Sequence, residues 1–319
     1  MAINAIGIDV GGTKISAGVV TLQGELLNEV RYSSKGSTEE LLDNIARAVR
    51  EVREGYEVSA ACLAVPGLIM ADENKVVFSP NLPNIEGVPL KEELGGRFDL
   101  PVTVENDANA AAWGEFRFGA GSEVDHLVFV TLGTGVGGGV ISHGILMRGV
   151  QGAGGELGHM TIHATGPRCG CGNRGCLESL ASGTAITRRA REVAAERPDS
   201  ALGKIATERE LIGEDVTKLA EDGDEVALAV LEEAGLWLGI GLAGFVNIFN
   251  PEVVAVGGGA AKAGELILDR ARKEMYLRAR SPSRDLVEIK SATLGPESGV
   301  IGAAALARDP ETGEYVLGS

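Results

Sequence analysis

At 319 residues, with 44% hydrophobic and 23% charged residues, the chain is an ordinary soluble globular protein, long enough to expect two domains. Its 45 acidic against 29 basic side chains give a net charge of −16, which repels a phosphodiester backbone and argues against a nucleic-acid partner. No basic stretch precedes Asp9, as a signal peptide requires, and the longest uncharged run, Ala234 to Pro251, falls short of the ~20 apolar residues of a membrane span; a cytoplasmic protein with no membrane partner is expected.

Residues 3–10 predict a strand that ends near Asp9, and residues 15–20 a second strand across Gly11-Gly12-Thr13-Lys14. Such a turn exposes backbone N–H groups as an anion site, and Asp9 beside it can orient Mg²⁺ through its water shell. The P-loop pattern does not match, because no lysine and hydroxyl follow a longer glycine loop. Residues 38–53 carry apolar side chains at helical spacing, with Thr38 placed as N-cap. A buried strand over 60–65 ends at Pro66-Gly67. The short strand 101–104 delivers Glu105-Asn106-Asp107 to the start of a helix over 108–117. There Asp107 could accept a hydroxyl proton while Asn106 orients the same hydroxyl, or both could simply cap the helix. The local sequence leaves both open.

The strand–glycine–strand pattern returns at 127–141 around Gly133-Thr134-Gly135. This suggests an internal duplication, with two related domains facing each other across a cleft and phosphate binding at both turns. Cys169, Cys171 and Cys176 then lie within eight residues on a glycine-rich segment. Three such thiols, with His159 as the fourth ligand, suit a closed, structural Zn²⁺ site; His163 competes for that place. His126 and His143 read as surface or core residues. Glu156 and Glu178 bracket the knot, which would present both to a polyhydroxylated ligand, although on the local residues alone both read better as surface glutamates. With no disulfide framework in the four cysteines, a reducing compartment follows. Helices are expected over 184–197 and 222–249, with a loop and a short helix over 198–222. A strand over 253–256 leads to Gly257-Gly258-Gly259, read as opening the next helix, whose N-terminus could hold a phosphate or the rest of a nucleotide. Residues 298–308 predict an amphipathic helix, and the alternation of strands and helices says α/β.

In order along the chain, Asp9-x-Gly-Gly-Thr-Lys14, Glu105-Asn-Asp107, Gly133-Thr-Gly135, Gly155-Glu-Leu-Gly-His159, Cys169-x-Cys-Gly-x-x-Gly-Cys-x-Glu178 and Gly257-Gly-Gly259 resemble the ROK family of repressors, open reading frames and kinases. Through Glu105-Asn-Asp-Ala-Asn-Ala-Ala-Ala-Trp-Gly-Glu115 the chain looks most like the family's bacterial-type glucokinases. The resemblance implies an actin-like ATPase (ribonuclease H-like) fold, with a small domain of residues 1–117 plus 298–319 and a large one of 118–297. It implies Asp107 as general base toward the 6-hydroxyl of glucose, and Gly67, Asn106, Glu156, His159 and Glu178 around the sugar. His159 would serve zinc through one ring nitrogen and sugar through the other. The three glycine turns would hold ATP, with Mg²⁺ bridging its phosphates. The pattern departs where Pro80-Asn81-Leu82 runs into Ile85, since many relatives carry an aromatic there; this leaves a sugar-facing role for Asn81 open. Repressors of the family carry a helix-turn-helix before the first glycine loop, whereas a strand near Ile3 and the acidic charge lead us to expect a kinase. Fructose, mannose or N-acetylhexosamine remains the alternative substrate, and a homo-oligomer, dimer or tetramer, is expected.

Overall fold

Two apolar runs, Asn4–Val10 (β1) and Lys14–Val20 (β2), pair antiparallel across a turn that the Gly11 N–H closes on the Lys14 carbonyl at 2.9 Å. The computed structural model describes residues 4–70, 75–79 and 81–308. Ile3, Pro80 and residues 309–319, which the sequence reading places in a strand, a sugar-facing segment and the small domain, lie outside them. Leu26–Ser33 (β3) adds antiparallel to β2. Thr38–Val52 (α1) is capped by Ser37 rather than by Thr38: the Ser37 hydroxyl accepts the Glu40 N–H while the Glu40 carboxylate accepts the Ser37 N–H. The Thr38 hydroxyl instead donates to the Asn84 carbonyl at 2.7 Å. Val58–Val65 (β4) pairs parallel with β1; Leu68–Met70 (β5) and Lys75–Phe78 (β6) form a small antiparallel ribbon. Leu90–Phe98 (α2) leads to Val102–Asn106 (β7), parallel to β4, and then to Asp107–Phe118 (α3). The sheet order is β3-β2-β1-β4-β7. Its central strands are apolar on both faces, and Ile6, Ile8, Ile15, Leu63 and Val65 share one core with Leu41, Ile45 and Val49 of α1.

The second sheet uses Leu127–Leu132 (β8), Val136–Ser142 (β9) and Ile145–Leu146 (β10). Helices Glu178–Ala181 (α4), Gly183–Glu196 (α5), Ala201–Glu208 (α6), Gly213–Glu221 (α7) and Glu225–Phe249 (α8) follow. Where the sequence suggests a loop and one short helix over 198–222, there are thus two helices. Then come Val253–Gly257 (β11), Glu265–Arg278 (α9), Ser283–Leu286 (α10), Glu288–Ser291 (β12) and Ser298–Arg308 (α11). The order β10-β9-β8-β11-β12 repeats the first sheet, third-second-first-fourth-fifth in chain order, so the duplication extends from the two hairpins to whole sheets.

By length and a mean hydropathy of 1.7, α8 could cross a membrane, but Leu231, Leu238, Leu242 and Phe245 are buried in protein. A Cβ on Gly235 or Gly239 would come within 2.6 and 2.5 Å of the Ile267 and Ala271 carbonyl oxygens, so these glycines let α8 and α9 touch at backbone. The last helix, α11, is not amphipathic. It is buried continuously from Gly299 to Ala307, and a Cβ on Gly302 would sit 1.7 Å from the Ala110 carbonyl of α3. Two compact units result: Met1–Phe129 with Gly139–Gly155 and Ala292–Ser319, and Val130–Gly138 with Glu156–Ser291. The chain passes from one to the other inside β8 and β9, not at residue 117.

Candidate active site

In the first unit, Asn106 resolves what the local sequence leaves open. It is the N-cap of α3: its side-chain oxygen accepts the Ala108 and Asn109 N–H groups at 2.9 and 3.0 Å. Its amide nitrogen donates to the Gly67 carbonyl at 3.1 Å, so Asn106 is largely committed to the protein. Gly67 itself needs to be glycine, with φ at +116° and the Phe78 carbonyl 2.2 Å from where a Cβ would stand. Asp107, the first residue of α3, is not the cap, and its carboxylate accepts the Ala108 N–H at 2.9 Å. Burial holds its carboxyl above the usual range, against the pull of the Ala108 amide.

Asp9, at the end of β1, is pushed up to about 6, first by burial, then by the negative charge of Asp107, with Lys14 opposing. Two mutually repelling carboxylates beside an exposed glycine turn are a donor set that fits a hard, oxygen-seeking cation such as Mg²⁺. The Asn81 carbonyl lies 3.1 Å from the Cβ position of Gly12, which puts Asn81 beside this turn. The supports of this corner are not legible in the local sequence. Glu105 is buried and accepts Arg148 Nε at 2.5 Å, Asn109 Nδ2 at 3.0 Å and the Asn106 N–H at 2.9 Å. A carboxylate directly before the helix cap was the signal available, but its partner lies more than forty residues away.

In the second unit the turn at 133–135 closes by Gly133 N–H to the Gly135 carbonyl at 2.9 Å. The start of α5 sits on it: Gly183 N–H donates to the Gly133 carbonyl and the Thr184 hydroxyl to that of Thr134, at 2.9 and 2.7 Å. The turn at 257–259 joins the same cluster, because Gly258, at φ +94°, packs against Leu132 and the following Ala260 meets Gly183. Gly259 is followed by a single 3-10 turn, Ala260–Ala263, and α9 starts only at Glu265. The triple glycine therefore opens no long helix, and its contribution to anion binding lies in loop amides.

Glu178 begins α4 and reaches back to the 133–135 turn, its Oε2 accepting the Val136 N–H at 3.1 Å. A Cβ on Gly135 would stand 2.3 Å from that oxygen. Its Oε1 lies 3.3 Å from Cys169 Sγ, which ties Glu178 to the cysteine knot. There the donor atoms of His159, Cys169, Cys171 and Cys176 all fall within 4.8 Å of one another. Bonds of about 2.3 Å to sulfur and 2.0–2.1 Å to nitrogen give a tetrahedron with edges of about 3.8 Å (S–S) and 3.6 Å (S–N). The observed Cys171–Cys176 and Cys169–His159 Nδ1 separations are 3.8 and 3.6 Å, so the residues fit Zn²⁺. His159 rather than His163 completes the set; His163 stacks on Trp237 with ring centroids 5.3 Å apart. With Nδ1 toward Cys169, the other ring nitrogen of His159 faces Glu156, 3.9 Å away. Gly158 lets this turn close, since the Val136 carbonyl is 1.9 Å from its Cβ position. His126 and His143 form an edge-on pair elsewhere, with centroids 4.4 Å apart.

The ROK family model matches residues 5–310. The chain belongs to the ROK family. Among curated relatives, this ROK protein is 40% identical to the glucokinase of Streptomyces coelicolor, over 96% of this chain and 98% of that one. It is 38% identical to the glucokinase of Thermotoga maritima, over 95% and 97%. Among solved structures it resembles a ROK family glucokinase from Streptomyces griseus in complex with glucose and AMPPNP, with a TM-score of 0.85 and 39% identity, over 96% and 99% of the two chains. The fold is the actin-like ATPase fold of ROK sugar kinases.

Proposed function

We propose that this ROK protein is an ATP-dependent glucokinase that phosphorylates the 6-hydroxyl of glucose. The observation that carries the reading is Asp107, a carboxylate freed from helix capping by Asn106, in a chain whose near full-length relatives are glucokinases. Asp107 takes the hydroxyl proton while the sugar oxygen bonds to the γ-phosphorus. The bond from that phosphorus to the β–γ bridging oxygen breaks, and ADP leaves with the electron pair. Because such transfer is loose, the protein's task is alignment and charge neutralisation.

Glu156, His159 and Glu178 bind sugar hydroxyls, with Gly67 and the remaining amide hydrogen of Asn106 beside Asp107. The geometry of His159, Nδ1 toward the cysteines and Nε2 toward Glu156, supports its double service to metal and sugar. Asp9, Lys14 and the turns at 11–13, 133–135 and 257–259 hold the nucleotide. Mg²⁺ held there would neutralise phosphate charge, and His159, Cys169, Cys171 and Cys176 would hold a Zn²⁺ that would keep Glu178 in place. A cytoplasmic homo-oligomer, dimer or tetramer, is the form we expect in the cell.

The test is a coupled assay of glucose, fructose, mannose and N-acetylhexosamines against ATP, ADP and polyphosphate. We expect kcat/KM with ATP to favour glucose by at least about tenfold, a difference of ~1.4 kcal/mol. Another hexose ahead by that margin would overturn the glucose assignment; no transfer to any hexose would overturn the kinase.

A further inference from the structure

The second unit contains a cavity of about 500 Å³, a size suited to a small ligand, and none of the residues assigned above to sugar, nucleotide or zinc lines it. One wall is the stacked pair of His163 and Trp237, with an interplanar angle of 18°. Three guanidinium groups, Arg174, Arg188 and Arg189, face two carboxylates in the lining, Glu192 and Glu233, with Glu196 3.7 Å from Arg189 beside them, so cations match carboxylates here although the whole chain carries −16. Arg189 is engaged by both carboxylates, at 3.3 and 3.0 Å. Arg188 donates to the Ser179 carbonyl at 3.0 Å and lies 3.9 Å from Glu192, and the Arg174 guanidinium donates to the Gly166 carbonyl at 3.4 Å. Both therefore keep donors for an anion.

Aromatic faces take the C–H side of a sugar ring, guanidinium groups take a phosphate, and carboxylates accept hydroxyls; the lining combines all three. We propose that this cavity is a second site, separate from the active site, for a phosphorylated hexose. The choice of ligand rests on the glucokinase reading, since the product of that reaction belongs to this class. The site is connected to the chemistry by short covalent paths. Leu180 in its lining is two residues beyond Glu178, Arg174 lies between Cys171 and Cys176, and Ala185 belongs to α5, whose first residues hold the 133–135 turn. A bound hexose phosphate thus bears on the segment that positions Glu178, so the product slows turnover without displacing glucose.

The test uses the native emission of Trp237, one of two tryptophans; the other, Trp113, is buried in α3. Glucose 6-phosphate is titrated in the presence of saturating glucose, with inorganic phosphate as a parallel arm. We expect a saturable emission change that is absent in Trp237→Phe and moved about tenfold or more to higher concentration in Arg188→Ser and in Arg174→Ser. Inhibition by glucose 6-phosphate should be non-competitive with glucose and relieved in Arg188→Ser, whose uninhibited rate stays near that of the parent. Absence of a saturable change overturns the proposal, as does an equal response to inorganic phosphate, which would mark an anion site only. Inhibition that is purely competitive with glucose and unaltered in both arginine variants overturns it as well. A chain that phosphorylates no hexose would sink the kinase reading alone, and the fluorescence titration would still decide the cavity.

Discussion

Asp107 and Asp9 are carboxylates held at a cost in stability, because burial disfavours the charge on both. Replacing Asp107 with Asn keeps its shape and removes the proton acceptor, so kcat should fall by about 10²–10⁴ while glucose binding, followed by calorimetry, stays near normal. A near-normal kcat would remove Asp107 from the role of base. Asp9 makes a pH-dependent prediction. Its folded value of about 6 lies above the ordinary 3.8, so between these values the folded chain keeps a proton that the unfolded chain releases. Stability must therefore fall as pH rises from about 4 to about 6, and stay reduced above that range. Asp9→Asn removes the repelling charge and should raise unfolding stability at pH 8 by roughly 2–3 kcal/mol, with little effect at pH 4, while phosphoryl transfer is lost. Urea unfolding of both chains at the two pH values reads this; an equal gain at both would refute the charge argument.

Elements are joined in this fold by buried polar contacts and by backbone approaching backbone. Glu115 near the end of α3 is fully buried and accepts the N–H groups of Ala120, Thr293 and Leu294 at 2.8–3.1 Å. It anchors the segment that leads into α11, and Gly119 is small because a Cβ there would meet the same carboxylate at 2.1 Å. Glu115→Ala strands several buried donors and should destabilise the protein by about 3 kcal/mol or more, seen as a lower midpoint in urea without a change in the hexose preference of the remaining folded enzyme. The cysteine knot is the second such device. Cys171→Ser, or chelation at neutral pH, should release one zinc per chain by elemental analysis. It should also raise the KM for glucose more than it lowers kcat, because Glu178 and His159 lose a common support. A variant that keeps its zinc would show that the fourth ligand lies elsewhere.

For the whole molecule the dominant fact is charge. With −16 spread over 319 residues, self-repulsion opposes the compact state at neutral pH, and salt screens it. Raising sodium chloride from about 0.01 M to 0.5 M should lift the melting temperature by a few degrees, read by differential scanning fluorimetry without nucleotide. A flat response would mean that the acidic groups are already matched by local partners. Such local matching is present in places: Arg209 pairs with Asp215 at 2.6 Å and Arg97 with Asp43 at 2.6 Å. Exposed pairs of this kind contribute little individually, so the summed field is expected to prevail.

Much of this protein is written locally. Apolar runs bounded by glycine turns fix β1, β2, β8 and β9, and three thiols on a glycine-rich loop with a histidine ten residues before them supply a donor set compatible with a tetrahedral metal. These depend on period and spacing, which a single chain displays. Tertiary structure decided what depends on neighbours distant in sequence. Asn106, not Asp107, became the cap where the Gly67 carbonyl takes the Asn106 amide hydrogen and Arg148 holds Glu105. Ser37 rather than Thr38 capped α1 because Asn84 claims the Thr38 hydroxyl. The last helix looked amphipathic, yet β1 and α3 cover it from both sides, and its glycines mark where a carbonyl leaves no room for a Cβ. Spacing selects the kinds of side chain that can do the chemistry; which of them are left free to do it depends on packing and on competition for hydrogen bonds, and those exist only in the folded chain.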